Sequence, residues 1–216
     1  MDVMPRQSVR ITMVGFTLVE MMVAIALFAI VASLAVPAYT DFVMRKRAAS
    51  GINDFLVDLN VARGEATRQR RTVVMCARGG TAELCDTTTQ DSAACACDEE
   101  ARWENGWIMF VDFDGDNALS AASIDTLVGV HPALPEPITF READGDHLVA
   151  FNSRGALGGT TARFALCIND RAGTDDDEDV LARARFVDVA LTGRAVVSRS
   201  VENPGSAADA CYHTPS

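Results

Sequence analysis

Histidine is scarce in this chain. His131, His147 and His213 are the only three in 216 residues. They follow no metal-ligand spacing, which removes the usual histidine-based zinc sites. No Gly-x-Ser-x-Gly elbow is present; Ser153 sits in Asn152-Ser153-Arg154-Gly155. Without a nucleophile–base signature, hydrolase chemistry is not expected and the chain reads as a non-enzyme. Basic charge is also short. Nineteen Lys and Arg stand against 30 Asp and Glu, a net charge of −11. Duplex binding is driven largely by phosphate neutralisation, so a generic nucleic-acid binder is disfavoured. No internal repeat appears.

Apolar sequence, by contrast, is concentrated. Phe16–Val36 is 21 residues with only Thr17, Glu20 and Ser33 polar. As a helix it is about 31 Å long, enough for a bilayer core of about 30 Å. A secretory signal has a shorter core of about 7–15 residues and a small-residue cleavage site. Ser33-Leu34-Ala35 has that look, but the length and the acid argue against it. An unpaired carboxylate in lipid costs about 2.5–3.5 kcal/mol on insertion scales. Glu20 is therefore expected to have a partner, and one outside this chain. Arg6 and Arg10 precede the run, and Arg45, Lys46 and Arg47 follow it; a positive-inside count leaves the orientation undecided. Pro37 lacks the amide for a helix hydrogen bond and clashes with the preceding turn, so a kink or loosening is expected there.

Cysteine is plentiful. Cys76, Cys85, Cys95, Cys97, Cys167 and Cys211 fit a disulfide framework in an oxidising compartment. Nearness along the chain favours Cys76 and Cys85 pairing with Cys95 and Cys97 in either order, and Cys167 with Cys211. Zinc held by Cys85, Cys95 and Cys97 is the rival, but no histidine lies nearby. No metal and no cofactor are expected.

After Pro37, Ile52, Phe55, Leu56, Leu59, Ala62 and Ala66 recur at helical spacing. Residues 37–71 are thus an amphipathic continuation of the helix. From Thr72 short strand-like runs take over: Thr72–Ala77, Gly106–Phe113, His147–Asn152 and Ala162–Asn169. Arg185–Leu191, a Thr192-Gly193 turn and Arg194–Arg199 read as a hairpin. Residues 79–100 read as a disulfide-bound loop, and Asp175–Asp179 as a solvated acidic turn. The fold expected is α+β, with a long helix on a mostly antiparallel sheet formed by residues 72–216.

Asp112-Phe113-Asp114-Gly115-Asp116-Asn117 has oxygen ligands at alternate positions, like part of a calcium loop. A serine at position 123 stands where such a loop needs glutamate, so a turn held by Asx hydrogen bonds is preferred. Two basic groups stand out: Arg63, Arg68, Arg70, Arg71 and Arg78 near the helix end, and Arg183, Arg185, Arg194 and Arg199 around the last hairpin.

Gly15-Phe16-Thr17-Leu18-Val19-Glu20-Met21-Met22, followed by Pro37-Ala38-Tyr39, resembles the N-terminal region of type IV pilins and their minor-pilin relatives. The resemblance implies that residues 1–15 are a prepilin leader and residues 16–36 a transmembrane helix. It implies cleavage between Gly15 and Phe16 by a prepilin peptidase, N-methylation of Phe16, and pairing of Glu20 with the new amine of a neighbouring subunit. It ties Pro37 to filament packing. Loss of Arg6, Arg10 and Asp2 would leave 17 basic and 29 acidic residues, a net charge of −12. The run Val73–Cys76, then Trp103…Gly106-Trp107-Ile108-Met109-Phe110…Asp112, and Thr192-Gly193-Arg194 more loosely resemble the GspH/FimT (FimT/FimU) branch. That implies a minor pilin that primes or joins pilus assembly for twitching or adhesion. Its partners would be other major and minor pilins and an inner-membrane assembly platform. It would lie in the inner membrane with a periplasmic domain, then in a surface fibre. The alternatives are a pseudopilin of type II secretion and a DNA-binding minor pilin using Arg194 and Arg199. Some relatives use Gly-Arg-x-Arg for DNA; here Val196 replaces the second arginine.

Overall fold

A computed structural model describes residues 17–79, 85, 95–100, 102–119, 125–168, 184–198 and 211. Helix α1 spans Leu18–Gln69 and runs through Pro37 without a break. Two compact units divide at Val43/Met44. In the first, the large apolar side chains from Leu18 to Phe42 are exposed. This helix is long and apolar enough to cross a membrane.

In the second unit α1 buries Ala48, Ile52, Phe55, Leu59, Ala62 and Ala66. Their alternating spacings of four and three set one face against the core. The helix closes with Arg71 donating to the Ala66 carbonyl (3.2 Å) while Arg70 takes φ 57°. That is a Schellman turn with arginine where glycine is usual.

Among the described residues eight strands follow: β1 Thr72–Ala77, β2 Trp107–Asp112, β3 Thr126–His131, β4 Ile138–Glu142, β5 Leu148–Phe151, β6 Ala162–Ile168, β7 Arg185–Val189 and β8 Ala195–Ser198. They make two antiparallel four-stranded sheets, ordered β3-β2-β1-β5 and β4-β6-β7-β8. The sequence suggests neither β3 nor β4. Gly129 interrupts β3 because a Cβ there would lie 2.6 Å from Met109 Cε, across from it in the pairing. Pro132, Pro135 and Pro137 hide the start of β4.

One core joins the helix to the inner faces of both sheets. Phe55 is its hub. Its ring meets Trp103, Trp107, Phe140 and Phe164 edge-on, with centroids 5.8, 5.2, 4.8 and 4.7 Å away. Such edge-to-face pairs add to area burial.

The outer faces are covered as well. On the first sheet Val74, Cys76, Ile108, Phe110 and Leu127 pack with Cys85, Cys95 and Leu119. This explains why β2 is an unbroken apolar run rather than an alternating one. On the second sheet Ala165, Cys167 and Phe186 pack with Ala184 and Cys211. Three disulfides hold these covers: Cys76–Cys97, Cys85–Cys95 nested inside it, and Cys167–Cys211.

The turn between β4 and β5 is organised by a buried acid. Glu142 Oε2 accepts from the amides of Asp144 (2.7 Å) and Asp146 (3.0 Å), and Oε1 from that of Arg163 (3.1 Å). Burial raises its carboxyl above the ordinary value, and the three amide hydrogen bonds only partly offset this. The folded state thus holds this proton more tightly than the unfolded chain. Its contribution is most favourable below the unfolded value near 4.5 and declines as pH rises through the raised folded value. Glu142→Gln should flatten that slope and cost about 1–3 kcal/mol, because an amide NH2 would face a backbone N–H. Thermal melts of both proteins between about pH 4 and 8 test this; an unchanged slope would assign the pH dependence elsewhere.

Candidate functional site

Thr17 starts α1 by accepting the Glu20 amide on its Oγ1 (3.2 Å), and its carbonyl accepts from Met21 (3.2 Å). Thr17-x-x-Glu20 has the spacing of a capping box. Glu20 is thereby fixed in the first helical turn, exposed among exposed Leu18, Val19, Met21 and Met22. Gly15 and Phe16 lie outside the described residues, as does the side chain of Pro37.

The turn after β2 gathers more acid than the sequence suggests. Carboxylate oxygens of Asp112, Asp114, Asp116 and Asp125 lie within 4.8 Å of one another. Asp112 accepts from the amides of Gly115 (2.6 Å) and Asn117 (3.3 Å), Asp114 from Asp116 (3.3 Å), and Asp116 from Ala118 (2.8 Å). These are the Asx-type bonds expected of a turn. Asp125 Oδ1 accepts from the Phe113 amide (2.8 Å). It is out of reach of a linear loop motif; the β2–β3 pairing of Val111 with Thr126 brings it in. At Asp114 the Asp116 amide bond lowers the carboxyl pKa. Desolvation and the Asp116 and Asp125 carboxylates outweigh it and leave the group above its ordinary value.

The arginines near the helix end do not form one patch. Arg68 pairs with Glu65 (2.6 Å). Arg71 lies over the Phe113 ring at 4.9 Å. Arg78 is buried at the end of β1. The stem of Arg63 supports two glycine turns. A Cβ on Gly155 (φ 73°) would lie 3.1 Å from Arg63 Cγ, and one on Gly193 (φ 75°) 2.1 Å from the Gly155 carbonyl oxygen. Thr192-Gly193-Arg194 therefore has a packing reason: only glycine lets the β7–β8 turn sit on the Asn152–Gly155 turn. Arg194 is exposed on the rim of a hollow of about 620 Å³ with Thr192, Val196 and the Arg163–Asp188 ion pair. Arg199 lies outside the described residues.

A further cluster was not visible in the sequence. Trp107 stacks on His131 at 3.8 Å, and its Nε1 donates to Asp58 (2.8 Å); His131 Nε2 is 4.0 Å from Asp54. Asp54 and Asp58 are one turn apart on α1, so the cluster ties the helix to β2 and β3. His131 thus meets a ring, the Asp54 carboxylate and, at Nδ1, the Pro132 carbonyl (2.8 Å), with no serine or cysteine among these partners.

A model of the family described as type II transport protein GspH matches residues 51–193, more than half of the chain. The prokaryotic N-terminal methylation motif matches residues 15–36. Type IV major fimbrial protein FimA of Dichelobacter nodosus is 46% identical over 39 residues, 18% of this chain. The chain spans 24% of the length of that curated relative. Two crystal structures of the type IV minor pilin FimU of Pseudomonas aeruginosa are similar. They show 20% and 21% identity, cover 73% and 69% of this chain and 92% and 91% of FimU, and have TM-scores of 0.48 and 0.44. The chain belongs to the GspH family of type IV pilin-like minor pilins and pseudopilins, with the N-terminal methylation motif at its head.

Proposed function

We propose that this chain is a structural subunit that primes or joins a type IV pilus. It waits in the inner membrane with its second unit in the periplasm, and is then drawn into a fibre alongside other pilins. The observation that supports this most is Glu20, the one acid in the exposed apolar helix between Leu18 and Val36. Removal of residues 1–15 creates a positive amine at Phe16, four residues before it. In the water-poor core of a helical fibre, attraction between that amine and a neighbour's Glu20 is strong. A missing partner is correspondingly costly.

The test is the mass and first residue of the mature protein from its native membrane. The expected result is a chain that begins at methylated Phe16; any other first residue removes the basis for the amine–carboxylate contact. A second reading has its own support, because the matching family is described as type II transport protein GspH. The same helix would then enter a pseudopilus. Deletion separates the two: loss of twitching marks the pilus, and loss of exoprotein secretion marks the secretion system. A DNA-uptake role has less support, since Gly193 is accounted for by packing and Val196 stands where a second arginine is needed.

A further inference from the structure

Arg78 is 3% exposed, yet its guanidinium faces no carboxylate among the described residues. Its backbone is fixed. The amide donates to the Gly106 carbonyl (3.0 Å), and the residue bridges to Cys97 beside the Cys76–Cys97 disulfide. Of its side chain, Nη2 donates to the Asn105 carbonyl (2.8 Å), and Nε is buried without an acceptor. The two acids nearest in sequence to these partners are already engaged: Asp98 with Arg102 (3.0 Å) and Glu104 with Arg141. Arginine does not shed its proton at physiological pH. Burial is the cause that lowers its pKa here, and no acid among the described residues offsets it. A buried, uncompensated charge destabilises the chain that contains it. Positions that break this local rule are expected at functional or strained sites.

We propose that Arg78 is a receptor for a carboxylate supplied by a neighbouring pilin-type subunit. The inference rests on the reading of this chain as a fibre subunit. Asn105, whose carbonyl holds Nη2, is exposed, so the residue that anchors this guanidinium lies at the surface. An acidic side chain docking beside Asn105 would find a preorganised donor fork, with the desolvation cost of the arginine already met by folding. A carboxylate fits better than an apolar contact, because it alone neutralises the charge. Within one fibre, such a contact would orient the second unit as well as hold it.

The test uses the full-length chain with Arg78→Met and Arg78→Lys. Thermal melting is measured on the purified proteins in detergent. In the native cells, a photo-crosslinking residue replaces Asn105, and the crosslinked peptide is identified. Arg78→Met should melt at or above the wild-type temperature, and yet reduce the crosslink to the neighbouring subunit at least about tenfold. Arg78→Lys should restore part of the yield, and the captured peptide should contain Asp or Glu. A lower melting temperature with an unchanged crosslink would make Arg78 a brace for Asn105 and overturn the proposal, as would capture of nucleic acid or of a peptide without acid. If the mature chain begins at Phe16 and enters fibres but no crosslink forms, only this inference fails. If it never enters fibres, the fibre-subunit reading fails first.

Discussion

Glu20→Leu protein is expected to accumulate in the inner membrane at normal levels while nearly vanishing from the fibre. The two halves of that outcome have different causes. Leucine makes the first turn of α1 more apolar, so insertion into the membrane does not suffer. Assembly does, because the Phe16 amine of the adjoining subunit would enter the fibre core without a counter-charge. At about 2.5–3.5 kcal/mol for an unpaired charge in an apolar medium, the population able to assemble falls by a factor on the order of 100. Quantitative blotting of membranes and sheared fibres reads both halves. Normal fibre content in the variant would sink the contact. Glu20→Asp, which keeps the charge on a shorter stem, should retain part of the incorporation.

Phe55→Ala is expected to be the most destabilising single truncation in the second unit. The side chain is fully buried and touches four other aromatic rings, two from each sheet or its approach. Removing such a ring costs about 3–5 kcal/mol, since rigid neighbours cannot close the cavity. Set against a typical domain stability of about 5–15 kcal/mol, that is a large share. For a unit of this size each 1 kcal/mol shifts melting by about 2–4 °C, so a fall of about 6–20 °C is anticipated. Val57, two residues on and 59% exposed, supplies the control. Val57→Ala should move stability by no more than about 0.5 kcal/mol. Similar losses at both positions would mean that α1 does not pack as described.

The parts of the fold that show in the sequence are those with an uninterrupted period. Ile52, Phe55, Leu59, Ala62 and Ala66 mark one helix face, and β1 coincides with the run Thr72–Ala77. The two strands that the sequence hides are broken by Gly129 or preceded by three prolines, and neither alternates cleanly. Disulfide order lay beyond spacing alone, because Cys95 and Cys97 are equally reachable from Cys76 and Cys85; the fold sets Cys76 opposite Cys97. At the sites, Glu20 stands out in the sequence as the one acid of an apolar run, while the Thr17 cap beneath it shows only in the structure. Asp125 does not stand out, since strand pairing delivers it to the acidic turn. Arg78 reads as one more surface arginine until the bridge to Cys97 shows it enclosed. Gly193 shows as a turn, but the carbonyl of Gly155 that excludes a side chain there comes from a distant segment.

The disulfide-tied covers on the two sheets bear on when this protein can finish maturing. Val74, Ile108 and Phe110 on one side, and Phe186 on the other, are buried against cysteines that the three disulfides join. In a reducing cytosol those patches would be greasy and available to chaperones or to each other. Disulfide formation is then part of folding the second unit rather than an addition to a finished fold.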